Sequence, residues 1–298
     1  MSTEKALIVG AAGQVGSCLM RAIGSAQCIP TSRRVSDPAW LQMDLAAIEN
    51  GDDAERLLGR REVASIYCAG GMTHVDACEG QERLAMDVNC RGPAALAQVA
   101  RRRGIPFLFY STEYVFDGEN GPYSEDDAAH PINVYGLSKW RGEQAVLATN
   151  PDALVVRTTV VYGYDHEQKN FLYGLEANLR AGKAMQVAAD QFSTPTYNSD
   201  LAEVSKALIA ANQHGVFNVV GPELLSRLEL ARTAATFLGL DASLVLPVST
   251  RELQQKAPRP LRGGLRNAKL LAECPDVSLC PLDVGIFKWR ESERLLRP

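Results

Sequence analysis

Tyr135 and Lys139, in the run Tyr135-Gly136-Leu137-Ser138-Lys139, carry the side-chain pairing with the most chemical potential in this sequence of 298 residues. Four residues apart on a helix, they share one face. An isolated tyrosine, with a pKa of roughly 10, is a poor acid or base near neutral pH. A cation beside it favours the phenolate, and Lys139 could supply that charge. The same pair also describes an ordinary solvated helix edge, so its meaning depends on the elements that position it.

Those elements are legible in the first half. Short apolar runs at 6–9, 28–31, 64–68, 106–110 and 153–157 alternate with helical segments, the rhythm of a parallel sheet. The runs are continuous, not alternating, which suits strands covered by helices on both faces. Beyond residue 157 the rhythm loosens. Helical stretches are expected at 171–181, 200–212 and 226–238, with turns around Ser193-Thr194-Pro195 and Ala257-Pro258-Arg259-Pro260.

The first strand runs into Gly10-Ala11-Ala12-Gly13-Gln14-Val15-Gly16 and then a helical segment. Glycines at such a turn let the backbone approach a pyrophosphate, which meets the positive end of the helix dipole. Gly10, Gly13, Gln14, Val15 and Gly16 are therefore expected to hold a dinucleotide. The second strand ends in Thr31-Ser32-Arg33-Arg34, with no acid for an adenine-ribose hydroxyl. Arg33 and Arg34 instead suit a 2′-phosphate, so NADPH is the expected cofactor, with NADH left open. Asp44 and Leu45 either line the adenine pocket or begin the next helix, with Asp44 as its cap. The whole pattern is that of an α/β doubly wound parallel sheet (Rossmann) with a smaller, partly interleaved α/β substrate domain. Residues 1–160 are expected to form the NAD(P)-binding domain and 161–298 the substrate-binding region, partly returning to the first.

Composition narrows the remaining possibilities. The chain is 46% hydrophobic and 22% charged, ordinary for a globular protein, and its net charge of −4 gives no general attraction to nucleic acid or an anionic membrane. The N-terminal apolar run is too short to span a bilayer and has no signal-cleavage pattern, so a cytoplasmic protein is expected. Seven scattered cysteines include no Cys-x-x-Cys pair, and the four histidines show no metal-ligand spacing. No metal is expected. A Gly-x-Ser-x-Gly elbow is absent, which removes the starting point for a serine hydrolase.

Read in order, the glycine-rich turn, Tyr110-Ser111-Thr112-Glu113-Tyr114-Val115-Phe116-Asp117-Gly118 and the Tyr135/Lys139 pair resemble the extended short-chain dehydrogenase/reductases. Within them the chain is most similar to the dTDP-4-dehydrorhamnose reductase family. The likeness extends through Thr73-His74-Val75-Asp76-Ala77-Cys78-Glu79, Val88-Asn89, Val156-Arg157-Thr158-Thr159, Asn170-Phe171, the segment from Asp190 to Thr196, and Arg259-Pro260. It implies an NADPH-dependent reductase of the 4-keto group of a deoxy nucleotide sugar. Thr112 would hydrogen-bond the substrate carbonyl and Tyr135 would deliver the proton. Tyr135 and Lys139 would also bind the cofactor, Lys139 at the nicotinamide ribose while lowering the tyrosine pKa, with Asn89 supporting it. Cys68, Ala69 and Gly70 would join the cofactor site. Thr73, Val75, Glu113, Tyr114, Val160, Asn170, Gln191, Thr194 and Arg259 would face the substrate. Relatives of the same group include epimerases and a regulatory NADP-binding subunit, that of methionine adenosyltransferase; homodimers are common among them.

The chain departs from the family pattern at two places. Glu113 stands where an aspartate is usual, and Val160 where a tryptophan is usual, removing an aromatic surface for the base or sugar. From Arg251 to Lys269, six basic residues (Arg251, Lys256, Arg259, Arg262, Arg266, Lys269) face one acid, Glu252, a local excess that could serve a nucleotide-sugar diphosphate.

Overall fold

A computed structural model describes residues 4–35 and 37–296. Its central sheet has seven parallel strands: β1 (Lys5–Val9), β2 (Cys28–Ser32), β3 (Leu41–Gln42), β4 (Val63–Cys68), β5 (Phe107–Thr112), β6 (Leu154–Thr158) and β7 (Gly215–Asn218). Their spatial order is β7-β6-β5-β4-β1-β2-β3. The chain builds outward from β1 to one edge, then returns to pair β4 on the other side of β1, with Leu7 against Ile66 and Val9 against Cys68. A cleft therefore opens between the carboxyl ends of β1 and β4, the place where open α/β sheets bind ligands.

The continuous apolar runs are explained by two cores. Alternate residues of a strand point to opposite faces. Leu7, Val9, Ile66 and Phe109 enter one cluster with Leu58, Leu96 and Val146. Ala6, Ile8, Tyr67 and Leu108 enter the other with Leu19, Leu201 and Leu208. The first face is covered by α2 (Gly51–Leu58), α3 (Gly92–Arg103) and α4 (Val134–Thr149). The second is covered by α1 (Gln14–Ile23) and α6 (Asn198–Ala210), with α5 (Phe171–Arg180) lying elsewhere.

A third cluster gathers α5, α7 (Arg227–Phe237) and α8 (Leu282–Leu296) with a parallel pair of short strands, Met185–Ala188 and Val245–Val248. Trp289, fully buried, donates from Nε1 to the Tyr173 hydroxyl at 3.0 Å. Between these helices the chain goes back to the first core: α6 packs on α1, and β7 extends the sheet beside β6. The sequence reading did not place β7, because Gly215-Val216-Phe217-Asn218 is four residues at a sheet edge with two apolar side chains among them. Among the described residues no helix is long and apolar enough to cross a membrane, and no group of His, Cys, Asp or Glu could hold a metal ion.

Candidate active site

At the cleft's floor is the turn from β1 into α1. Gly10 has φ +79°, and a Cβ there would stand 2.6 Å from the Cα of Gly70, at the end of β4. A Cβ on Gly16 would overlap the Gly10 carbonyl and stand 2.7 Å from the Cα of Ala11. Both positions are closed to any other residue by backbone, which cannot step aside. Gly13 differs: its hypothetical Cβ meets nothing nearer than 3.4 Å, so this side of the turn is open to an approaching ligand. Gly13 caps α1 without a side-chain acceptor, leaving the first-turn N–H groups available, and the buried Gln14 Nε2 has no protein partner. Backbone donors, an unused amide and the positive end of α1 suit a pyrophosphate.

Around this turn the structure brings Val15, Leu45, Cys68, Ala69 and Gly70 together. Ala69 N donates to the Val9 carbonyl at 3.0 Å, and Leu45 packs against Gly70. Asp44 caps the 3-10 turn Leu45–Ala47 by accepting from Ala46 N at 3.0 Å, so its carboxylate is a helix cap. Arg33 and Arg34 are exposed at the end of β2, and among the described residues neither forms an ion pair.

The opposite wall is α4. Its N-cap is Asn133, which accepts from Gly136 N at 2.7 Å and donates to the Pro258 carbonyl at 2.9 Å. The lack of a side chain on Gly136 lets the first turn of α4 press on the Tyr114 carbonyl. This contact sets Tyr135 near the end of β5, where the Thr112 side chain favours the ionised phenol. Tyr114 packs edge-on to the Tyr135 ring, centroids 5.6 Å apart, and Val75 belongs to the same apolar cluster. Lys139, one turn further along α4, is buried; its Nζ donates to the Tyr110 carbonyl at 2.7 Å and lies 4.5 Å from the centre of the Phe109 ring.

Asn89, fully buried, sits in a π-helical turn, Asp87–Arg91, a distortion often found at functional sites. Its side chain accepts from Met72 N at 2.9 Å and donates to the Met72 carbonyl and Ser138 Oγ, each at 3.0 Å. It thus ties the loop after β4 to α4, one residue before Lys139.

The electrostatics correct one expectation. Burial pushes the Tyr135 phenol above its ordinary value, opposed mainly by the Thr112 side chain; Lys139 does not make it acidic. Lys139 is itself pulled down to about 8 by burial, with the Glu143 carboxylate working against that shift. Desolvation outweighs pairing because both side chains are buried and the ammonium is directed at a backbone carbonyl. A phenol in this state keeps its proton at neutral pH and can give it to a basic oxygen.

Glu113 is buried beside Thr112, yet both carboxylate oxygens are engaged: one accepts from Thr159 Oγ1, the other from Gly264 N. Burial raises its pKa from 4.5 to about 6. Because the folded protein holds this proton more tightly than the unfolded chain, the associated stability is fully present below about pH 4.5 and lost as pH rises through about 6. Glu113→Gln keeps an acceptor for Gly264 N and removes the buried charge. We expect it to be more stable than wild type at pH 8 by up to about 2 kcal/mol, an advantage that vanishes near pH 4.5. Urea unfolding at both pH values checks this, and parallel stability profiles for the two proteins would contradict it.

The remaining residues expected at the substrate fall into two groups. Thr73 is exposed on the loop before the short helix Val75–Cys78, and Arg259, on the facing loop, pairs with Asp76 of that helix at 2.7 Å. Val160 follows β6 with φ +41°, a conformation that a β-branched side chain rarely adopts. Others spend their polar groups on the fold. Asn170 caps α5 and donates to the Gly163 carbonyl; Thr194 Oγ1 accepts from Leu265 N; Gln191 Nε2 donates to Thr250 and Gln255. The basic segment 251–269 does not converge. Arg259 pairs with Asp76, whereas Lys269 donates to the Val216 carbonyl on β7 and lies over the Phe217 ring.

Arg227 escaped the sequence reading. It opens α7 just after the cap Ser226, and its guanidinium stacks 4.9 Å from the centre of the Phe171 ring. The capping box Ser226…Glu229 marks that helix start in the sequence, but nothing local shows which wall the arginine faces.

A family model described as RmlD substrate binding domain matches residues 4–278. A dTDP-4-dehydrorhamnose reductase of Mycobacterium tuberculosis is 38% identical over 267 residues, 86% of this chain and 83% of that protein. A probable low-salt glycan biosynthesis reductase of Haloferax volcanii is 32% identical over 266 residues, covering 87% and 89%. Among solved structures, dTDP-4-dehydrorhamnose reductase of Bacillus anthracis in complex with NADP is 26% identical with a TM-score of 0.88, over 98% of this chain and 100% of that one.

Proposed function

The chain belongs to the family described as RmlD substrate binding domain, and from that premise we propose that it is an NADPH-dependent reductase of the 4-keto group of a deoxy nucleotide sugar. The observation that carries the chemistry is the burial of Tyr135 and Lys139, one turn apart on α4, at the end of the strand that carries Thr112. When bound, NADPH supplies the hydride. As the carbonyl carbon accepts it, negative charge grows on the oxygen, which Thr112 Oγ1 steadies by donating a hydrogen bond. Tyr135 transfers its proton to that oxygen, giving the alcohol, and Lys139 stabilises the phenolate left behind. Lys139 would also bind the nicotinamide ribose, and Asn89 holds the loop and helix that carry the set.

Gly10, Gly13, Gln14 and Val15 would hold the pyrophosphate, and Arg33 and Arg34 would take the 2′-phosphate. The substrate-binding region is residues 161–298, less the stretch of α6 and β7 that rejoins the sheet. A reducing cytoplasm suits seven cysteines that are all unpaired. Purified protein given dTDP-4-dehydro-L-rhamnose should consume NADPH, with kcat/KM roughly tenfold or more above that for NADH, the advantage expected of charge-assisted bonds to one phosphate. No loss of reduced-nicotinamide absorbance with this sugar would refute the substrate, and equal use of the two cofactors would refute the role of Arg33 and Arg34.

A further inference from the structure

Tyr135, Lys139 and Glu143 follow one another at intervals of four along α4, and all three are buried. The helix face that carries the phenol and the ammonium therefore continues into a carboxylate. Glu143 Oε1 accepts from Ser111 Oγ and, at 2.9 Å, from Arg157 Nε; its Oε2 accepts from Arg157 Nη2 at 2.7 Å. Ser111 and Arg157 are register partners on β5 and β6, and the next pair along the two strands is Thr112 and Thr158. The carboxylate is thus gripped one residue below Thr112. Arg157 is held in turn: Nη1 donates to the Glu125 carbonyl at 3.1 Å, and the guanidinium lies over the Phe116 ring.

With side chains only 4% and 6% exposed, the Glu143–Arg157 pair gains the fold little, because desolvating two charges cancels most of their attraction. Its placement beside Lys139 is what distinguishes it. From β5 the Lys139 ammonium meets the Tyr110 carbonyl and the Phe109 ring. Cys68 at the end of β4 and Cys78 of the short helix Val75–Cys78 are in its electrostatic reach, and Tyr135 stands on its own helix face. Burial keeps both thiols and the phenol neutral, so the negative charge that reaches Lys139 is Glu143. Burial favours a neutral amine, and the carboxylate opposes it.

We propose that Glu143 is a positioning residue of this active site: gripped by Arg157 and Ser111, its carboxylate stands one turn behind Lys139 and keeps that side chain a protonated ammonium for the phenolate that forms at Tyr135. The role in turnover rests on the reductase reading above; the effect on Lys139 does not.

Two measurements separate these. In ligand-free protein, NMR of 13C-labelled lysine, with the Lys139 signal assigned by Lys139→Met, gives the titration midpoint of the ammonium. Glu143→Gln should lower it by about 1 to 2 pH units, the size expected of a charge removed one helical turn away, and Glu143→Asp, which keeps the charge, should restore most of the shift. In turnover of dTDP-4-dehydro-L-rhamnose, kcat of Glu143→Gln should lie roughly tenfold below wild type at pH 8, the deficit narrowing toward pH 6 as the ammonium regains its proton. A merely structural defect would give the same ratio at every pH and an unmoved midpoint. If Glu143→Gln does not fold, Glu143→Met/Arg157→Met leaves no charge unpaired, and it should lower the midpoint in the same direction, since Glu143 is the group one turn from Lys139. An unmoved Lys139 midpoint in either folded variant overturns the proposal. A lowered midpoint in a protein whose wild type reduces no keto sugar would instead overturn the reductase reading and leave the Glu143–Lys139 coupling standing.

Discussion

Tyr135→Phe should lower kcat for ketone reduction by about 10²- to 10⁴-fold, the usual range for a removed general acid. NADPH affinity should stay near that of wild type, because no cofactor contact proposed for this site uses the phenol as its main anchor. The size follows from the state of the group. Burial holds the phenol in its protonated form, so at neutral pH essentially every molecule has the proton in place for the oxygen that forms next to Thr112. A phenylalanine fills the same apolar cluster with Val75, Met72 and Tyr114 and leaves the edge-on packing against Tyr114 in place. The fold keeps the Thr112 bond from Tyr114 N, so the cost to stability is at most about 1 kcal/mol. Single-turnover kinetics with saturating NADPH separate this chemical defect from weaker binding. A variant that retained more than about a tenth of wild-type kcat would remove Tyr135 from the proton-transfer step, since a loss of about a hundredfold is the least that step predicts.

What made this site legible in the sequence was local. Gly10, Gly13 and Gly16 announce themselves because a tight turn between a strand and a helix needs them. Tyr135 and Lys139 announce themselves because helix geometry fixes how residues four apart relate. The strands at 6–9, 28–31, 64–68, 106–110 and 153–157 were readable because burial on both faces leaves few polar residues in them, and the structure finds them with shifts of one or two residues at their ends. The failures are non-local. That Glu113 would turn both oxygens to Thr159 and Gly264, 46 and 151 residues away, is decided by packing that no window of sequence contains. The same is true of Arg227, which lies over the Phe171 ring only because its helix starts where the chain leaves Gln191. Spacing correctly put Lys139 near Tyr135, but the direction of the tyrosine shift followed from burial, and burial is a property of the whole fold.

Gly16→Ala is expected to cripple both the fold and cofactor binding, whereas Gly13→Ala should impair the cofactor alone. The two glycines sit three residues apart in one turn, yet their surroundings differ in kind. At Gly16 a methyl group would run into the Gly10 carbonyl and stand 2.7 Å from the Ala11 Cα. Neither is the end of a flexible side chain. Relief requires α1 to move off the sheet, and α1 carries Cys18 and Leu19 into the core shared with α6. Overpacking against backbone costs about 3 kcal/mol or more, and any shift also turns the N–H groups at the head of α1 away from the pyrophosphate. A drop in thermal midpoint and a loss of NADPH affinity of at least about 100-fold should therefore appear together, about 3 kcal/mol at the binding step. At Gly13 the added methyl meets only the Gly10 oxygen, at an ordinary 3.4 Å, so the unliganded protein should melt as wild type does. The methyl would stand instead on the open side of the turn, where a phosphate must come close to backbone nitrogen, and NADPH should weaken without any change in stability. Equilibrium fluorescence titration with NADPH, paired with thermal melts of the ligand-free variants, distinguishes the two. If Gly13→Ala bound NADPH as wild type does, that open side would not be where the dinucleotide approaches, and the cradle assigned to residues 10–16 would have to lie elsewhere on the sheet's edge.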